Sequence, residues 1–139
     1  MPSPTTDRLL RVLLRIIGGV ELLAIPFIVL PLEQMAFIHD RVLTQGAMPE
    51  GKVVEYMARG LSVLYAVHGA IVIFLSSDVA RYRPVIVFLG KLHIVLGLVM
   101  LAADLSIGWP WWWVVVEGPG ILLGGALVYW LARADGESL

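Results

Sequence analysis

The chain has 139 residues, 59% of them hydrophobic and only 15% charged, with a formal net charge of -1 and a mean hydropathy of +0.87. Too few polar side chains are present to cover a soluble domain of this size, so the bilayer is the expected solvent. The near-neutral charge excludes a global field that recruits nucleic acid, and the lack of cysteine excludes disulfides, thiolate metal centres, iron-sulfur ligation and cysteine nucleophiles.

The segment from Met1 to Arg15 has the basic flank of a secretory signal, but Glu21 interrupts the apolar run and no Ala-x-Ala-like cleavage site follows. It reads as a retained first span, and no lipidation motif accompanies it. A helix needs about 20 apolar residues to cross a hydrocarbon core. Four evenly spaced windows meet that length: about Leu13 to Leu32, Val54 to Leu75, Val85 to Leu105 and Trp111 to Leu131. Backbone groups in lipid must be satisfied within their own segment, and strand alternation is absent, so the windows predict helices rather than a barrel. The expected fold is all-α: an integral membrane four-helix transmembrane bundle forming one domain over residues 1–139.

Between the first two spans, Leu32, Met35, Ile38 and Val42 recur at helical spacing with Glu33, Asp40 and Arg41 opposite. That pattern predicts a short amphipathic interfacial helix over about 33–44, ended by Gly46, Pro49 and Gly51. The connections Ser76 to Pro84 and Ser106 to Pro110 are short and force antiparallel neighbours. Arg8, Arg11, Arg15, Arg81, Arg83 and Arg133 fall on one side, against Arg41 and Lys52 on the other. The positive-inside rule then makes both termini cytoplasmic and the location a cell (inner) membrane. The cluster Trp109, Pro110, Trp111, Trp112 and Trp113 falls on the outer side, where indole anchors at the headgroup level.

An ionisable group at mid-bilayer costs at least about 2.5 kcal/mol on insertion scales, so each needs a partner or a purpose. At 100° per residue, Gly90, His93, Gly97 and Asp104 fall on one stripe of the third span. Glu117, Gly120 and Gly124 form a stripe on the fourth, with Gly120 and Gly124 as a small-xxx-small contact. Glu55, Arg59, Ser62, Ala66 and Ala70 share a face of the second, and Glu21 lies with Gly18 and Ile25 on the first. Depth divides the charges into two layers. Arg59 and Glu117, with Asp104 shallower on the same side, suggest an outer ion-pair cluster. Glu21 near the midplane and His93 about 3 Å to its cytoplasmic side suggest an inner carboxylate-imidazole pair. Either pairing offsets desolvation only in part, so it also fits a device that fixes helix register. Lys91, near the cytoplasmic end, is expected to snorkel.

His68 points about 180° away from the Arg59 stripe. Its depth nearly matches that of His93, and two imidazoles at one level are the ligand set of a b-type haem. That is an alternative only: no cofactor is predicted, and no metal either, since zinc needs three or four convergent ligands. Gly118-Pro119-Gly120 lies inside a span and is not a phosphate loop, and Ser62, Ser76, Ser77 and Ser106 lack a His-Asp relay at one depth. Pro26 and Pro119 lie mid-span beside Glu21 and Glu117 and are expected to bend their helices.

The size, the four spans and the charged first span, with the runs Val20-Glu21-Leu22, His68-Gly69, Arg81-Tyr82-Arg83-Pro84 and Glu117-Gly118-Pro119, resemble small bacterial inner-membrane proteins of the DoxX-like kind over the whole chain. The resemblance implies an architecture, and no catalytic residue is carried over from it. The leading functional expectation is a non-enzymatic polytopic protein with a buried polar site, binding a small or lipid-like ligand or serving as a subunit of a membrane complex. Its partners are the lipid bilayer and, beyond it, a homo-oligomer or such a complex. One alternative is a proton-coupled, oligomeric transporter or channel using Glu21 and His93. Another is a membrane enzyme in which His93, Glu21 or Glu117 does acid-base work on a lipid or quinone-like substrate.

Overall fold

A computed structural model describes residues 4–42 and 48–134. The described residues form six helices and no strand: α1 (Pro4–Leu22), α2 (Ile25–Val29), α3 (Leu32–Val42), α4 (Lys52–Leu75), α5 (Arg83–Ile107) and α6 (Trp111–Arg133). Four stretches are long and apolar enough to cross a membrane: Pro4–Val29, Lys52–Leu75, Arg83–Ile107 and Trp111–Arg133. They begin and end within a few residues of the expected windows except the first, whose helix starts nine positions earlier, at Pro4 rather than Leu13.

The first stretch is broken where proline chemistry requires it. Pro26 has no N–H to give to the carbonyl of Leu22, and its ring crowds that turn. The chain responds by tightening, with Leu23 N to Val20 O and Ala24 N to Glu21 O bonds of 3.1 Å each, and restarts as α2. Pro119 shows the other outcome, because it lies inside an unbroken α6. A helix, α3, stands where the interfacial helix is expected, with 43–44 outside the described residues; it buries Met35, while Ile38 and Val42 are exposed. Of its expected terminators, Gly46 lies outside the described residues. Gly51 adopts φ 135°, a region open to glycine, and accepts from Glu55 N to start α4.

The packing order is α4 on α1, α1 on α6 and α6 on α5, with α2 also on α4. Glycines set the closest approaches. A methyl on Gly18 would stand 2.7 Å from the Gly69 carbonyl oxygen, and one on Gly69 would stand 2.8 Å from the Gly18 oxygen, so α1 and α4 cross there backbone to backbone. Along α5 and α6 the same is true at Gly90 against Tyr129, Gly97 against Gly118 and Leu122, and Gly125 against His93. The expected Gly120 and Gly124 contact is overturned. Gly120 faces open space and Gly124 touches only Ile17, because the buried stripe of α6 runs through Gly118, Gly125, Val128 and Ala132. On α4 the buried stripe likewise passes through Ser62, Gly69, Val72 and Leu75, and Ala70 is exposed.

The apolar core occupies one end of the bundle, the end where α1 begins and α6 finishes. Leu10 and Leu14 of α1 meet Val72 and Leu75 of α4, Ile86 and Leu89 of α5, and Val128 and Ala132 of α6, with Val79 of the α4–α5 turn beneath them. Arg83 ties that end together by donating to Asp7 on α1 and to the Ala132 carbonyl on α6, the latter at 3.1 Å. The polar residues lie above this plug.

Candidate functional site

On α1 the buried residues Leu10, Leu14 and Gly18 recur every four positions, and the next on that face is Glu21, one turn before the Pro26 break. The Gly18–Gly69 crossing brings α1 close enough to α4 for Glu21 to reach His68, the residue just before Gly69. Nδ1 of His68 stands 2.7 Å from Oε2 of Glu21. A carboxylate oxygen is an acceptor, so Nδ1 of His68 is the donor in that pair. On the facing helix, His93 is held with its Cβ in the space Gly125 leaves open on α6. The His68 and His93 rings meet edge to face, with centroids 5.2 Å apart and planes at 89°.

Glu21, His68 and His93 thus form one cluster, with one ligand-type atom of each within 4.8 Å of the others. The expected pair of Glu21 with His93 is replaced by a trio in which His68 takes the carboxylate. His68 points away from Arg59 as expected, and that direction is toward α1 and α5. Burial is graded across the site: His93 is 7% exposed, the Glu21 side chain 15% and the His68 side chain 36%. Nδ1 of His93 is buried and has no hydrogen-bond partner among the described residues. Buried polar groups are almost always paired, so an unpaired one beside two titratable side chains marks spare binding capacity.

The outer cluster is rearranged more. Arg59 donates to Glu55 one turn back at 2.8 and 3.0 Å and to the Ile28 carbonyl at 2.7 Å. It therefore caps the end of α2 and does not join Glu117. A guanidinium finds a carboxylate on its own helix before one on another, and α2 ends with carbonyls that lack helical partners. Glu117 accepts instead from Nε1 of Trp113, one turn earlier on α6, with the Asp104 carboxyl of α5 nearby. Asp104 is 2% exposed and its Oδ2 lacks a partner among the described residues. Tyr65 on α4, half exposed, lies within electrostatic reach of both Glu21 and Glu117.

Trp113 and Tyr65 were not among the expected site residues. Their signals were present as spacing: Trp113 is four residues before Glu117, and Tyr65 three before His68, each one helical turn away. Two other polar residues of the spans, neither an expected site, have local partners. Ser62 Oγ donates to the Ala58 carbonyl at 2.8 Å, and Lys91 sits over the Tyr129 ring, 5.8 Å from its centroid. Three ligand-type side chains do converge, because His68 joins Glu21 and His93.

No protein-family model, curated protein or solved structure matches the chain.

Proposed function

We propose that this chain is a multi-pass protein of the inner membrane, with both termini in the cytoplasm, that binds a small polar or lipid-like ligand without transforming it, at the Glu21–His68–His93 site. The carrying observation is the partnerless Nδ1 of His93, buried beside a carboxylate-imidazole pair that is itself partly open. A device built only to fix helix register has no need of a buried acceptor or donor left over. Small-molecule extraction of the detergent-purified protein tests the reading. A species present with wild-type protein and lost from a Glu21→Gln, His93→Ala double variant is expected; identical extracts overturn it.

A second reading, proton movement, is supported by one observation: three titratable side chains, Glu21, His68 and His93, converge in one cluster. Four helices are too few to enclose a wide path, so this reading requires a homo-oligomer. Proton flux into proteoliposomes that is abolished by Glu21→Gln is expected from it. Flux equal to that of the wild type removes it.

A further inference from the structure

We infer that Glu21, His68 and His93 form a site for a first-row divalent transition metal, with zinc or ferrous iron as the best-suited ions. The inference rests on the reading above that this trio is a binding site, and it names the ligand class.

The donor set is the first ground. Two imidazoles and one carboxylate, with no thiolate, suit borderline ions that accept nitrogen and oxygen together. They are a poor match for magnesium or calcium, which take oxygen, and for cuprous copper, which takes sulfur. Three protein donors also leave one or more coordination positions open, as in zinc and non-haem iron sites that bind an exogenous ligand.

Geometry is the second ground. Donor atoms at about 2.0–2.1 Å from a tetrahedral metal stand about 3.3 Å from one another. Oε2 of Glu21 and Nδ1 of His68 are 2.7 Å apart, and all three donors lie within 4.8 Å. A metal therefore asks the first pair to open slightly and His93 to close in, movements within the range of side-chain torsions. When Nδ1 of His68 binds, its proton passes to Nε2 and the imidazole stays neutral, so no oxidant, reductant or further reactant is needed.

The third ground is independent of the first two. His93 belongs to this cluster, is 7% exposed, and has an Nδ1 with no partner among the described residues. A buried ring nitrogen without a partner is costly, and an imidazole that turns a lone pair to a bound cation relieves that cost. The backbone contacts that hold the donors are equally specific: Gly69 seats α4 against α1 beside Glu21, and Gly125 seats α6 under His93. Ligand positions are thus fixed by helix crossings and not by loops, which favours a metal site of defined geometry.

The chain has three histidines, which makes the test compact. Untagged protein in detergent, stripped with chelator, is titrated with cobaltous ion as a spectroscopic stand-in. Expected are one cobalt per chain, visible ligand-field bands far stronger than those of the hydrated ion, and their displacement by zinc. His68→Ala and His93→Ala are each expected to weaken binding by at least about 100-fold, since even loss of an outer-shell partner costs 10–100-fold. Glu21→Gln is expected to weaken it and shift the bands. His39→Ala, which removes the histidine outside the cluster, is expected to leave the spectrum unchanged. His68→Gln and His93→Gln, with helicity followed by circular dichroism, keep the result readable if an alanine variant fails to fold. A spectrum like the hydrated ion, or binding that survives loss of both His68 and His93, overturns the inference. Extracting the same preparations for small organic molecules separates the two readings. A trio-dependent organic ligand without cobalt binding overturns the metal and leaves the binding site standing.

Discussion

Arg59 shows how a single side chain is claimed by its nearest obligations. It bonds Glu55 on its own helix and the Ile28 carbonyl at the end of α2. Arg59→Ala is expected to remove both and destabilise the protein by about 1–3 kcal/mol, read as a lower midpoint in detergent-denaturant titration. Arg59→Lys is expected to recover only part of the loss, because a single ammonium cannot reach both partners in fork geometry. At the other carboxyl, Trp113→Phe keeps the ring and deletes the Nε1 donor to Glu117. Its expected effect is a carboxyl infrared band for Glu117 that shifts in frequency while helicity is unchanged. Depth arithmetic groups Arg59, Glu117 and Asp104 at one level, but height does not say which way a side chain turns. The nearness of Asp104 to Glu117 was therefore legible and the local bonding of Arg59 was not.

The elements differ in how much their own pattern reveals. On α5, Gly90, His93, Gly97 and Asp104 share the buried stripe as expected, because polar and small residues coincide there and the rest is large and apolar. On α6 the glycines are spread around the helix and nearly everything else is apolar, so no single face stands out. Contact geometry alone picks Gly118 and Gly125 over Gly120 and Gly124. Paired substitutions make the distinction measurable. Gly125→Ala puts a methyl 2.6 Å from the His93 Cβ and is expected to cost about 1–3 kcal/mol. Gly120→Ala, with open space around it, is expected to be neutral or mildly stabilising by helix propensity. Equal effects from the two, in the same denaturant titration, would contradict the packing face described. His68 was the hardest residue to read for a related reason. Its partner Glu21 is set by the Gly18–Gly69 crossing, and a crossing angle leaves no mark in the periodicity of either helix.

At the scale of the molecule, the four long apolar stretches were legible because bilayer thickness imposes a length that composition can be scanned for. The break after α1 was legible too, through Pro26. What periodicity does not carry is the order of the helices around the bundle. It places α4 and α5 beside each other by their short connection, whereas the main packing runs from α4 to α1 to α6 to α5. Reporter fusions after Arg133 and in the 76–82 turn are expected to report the same side of the membrane, as the arginine distribution requires. Opposite readouts would reject the proposed orientation.

The plug of Leu10, Leu14, Val72, Leu75, Ile86, Leu89, Val128 and Ala132 sits directly beneath the trio. Wetting it would expose these side chains at about 1.5–3 kcal/mol for each large one, more than a single small solute returns on binding. Opening a path through that end of one copy is therefore costly. Taken alone, the chain is a cup and not a corridor: its floor below Glu21, His68 and His93 is the apolar plug.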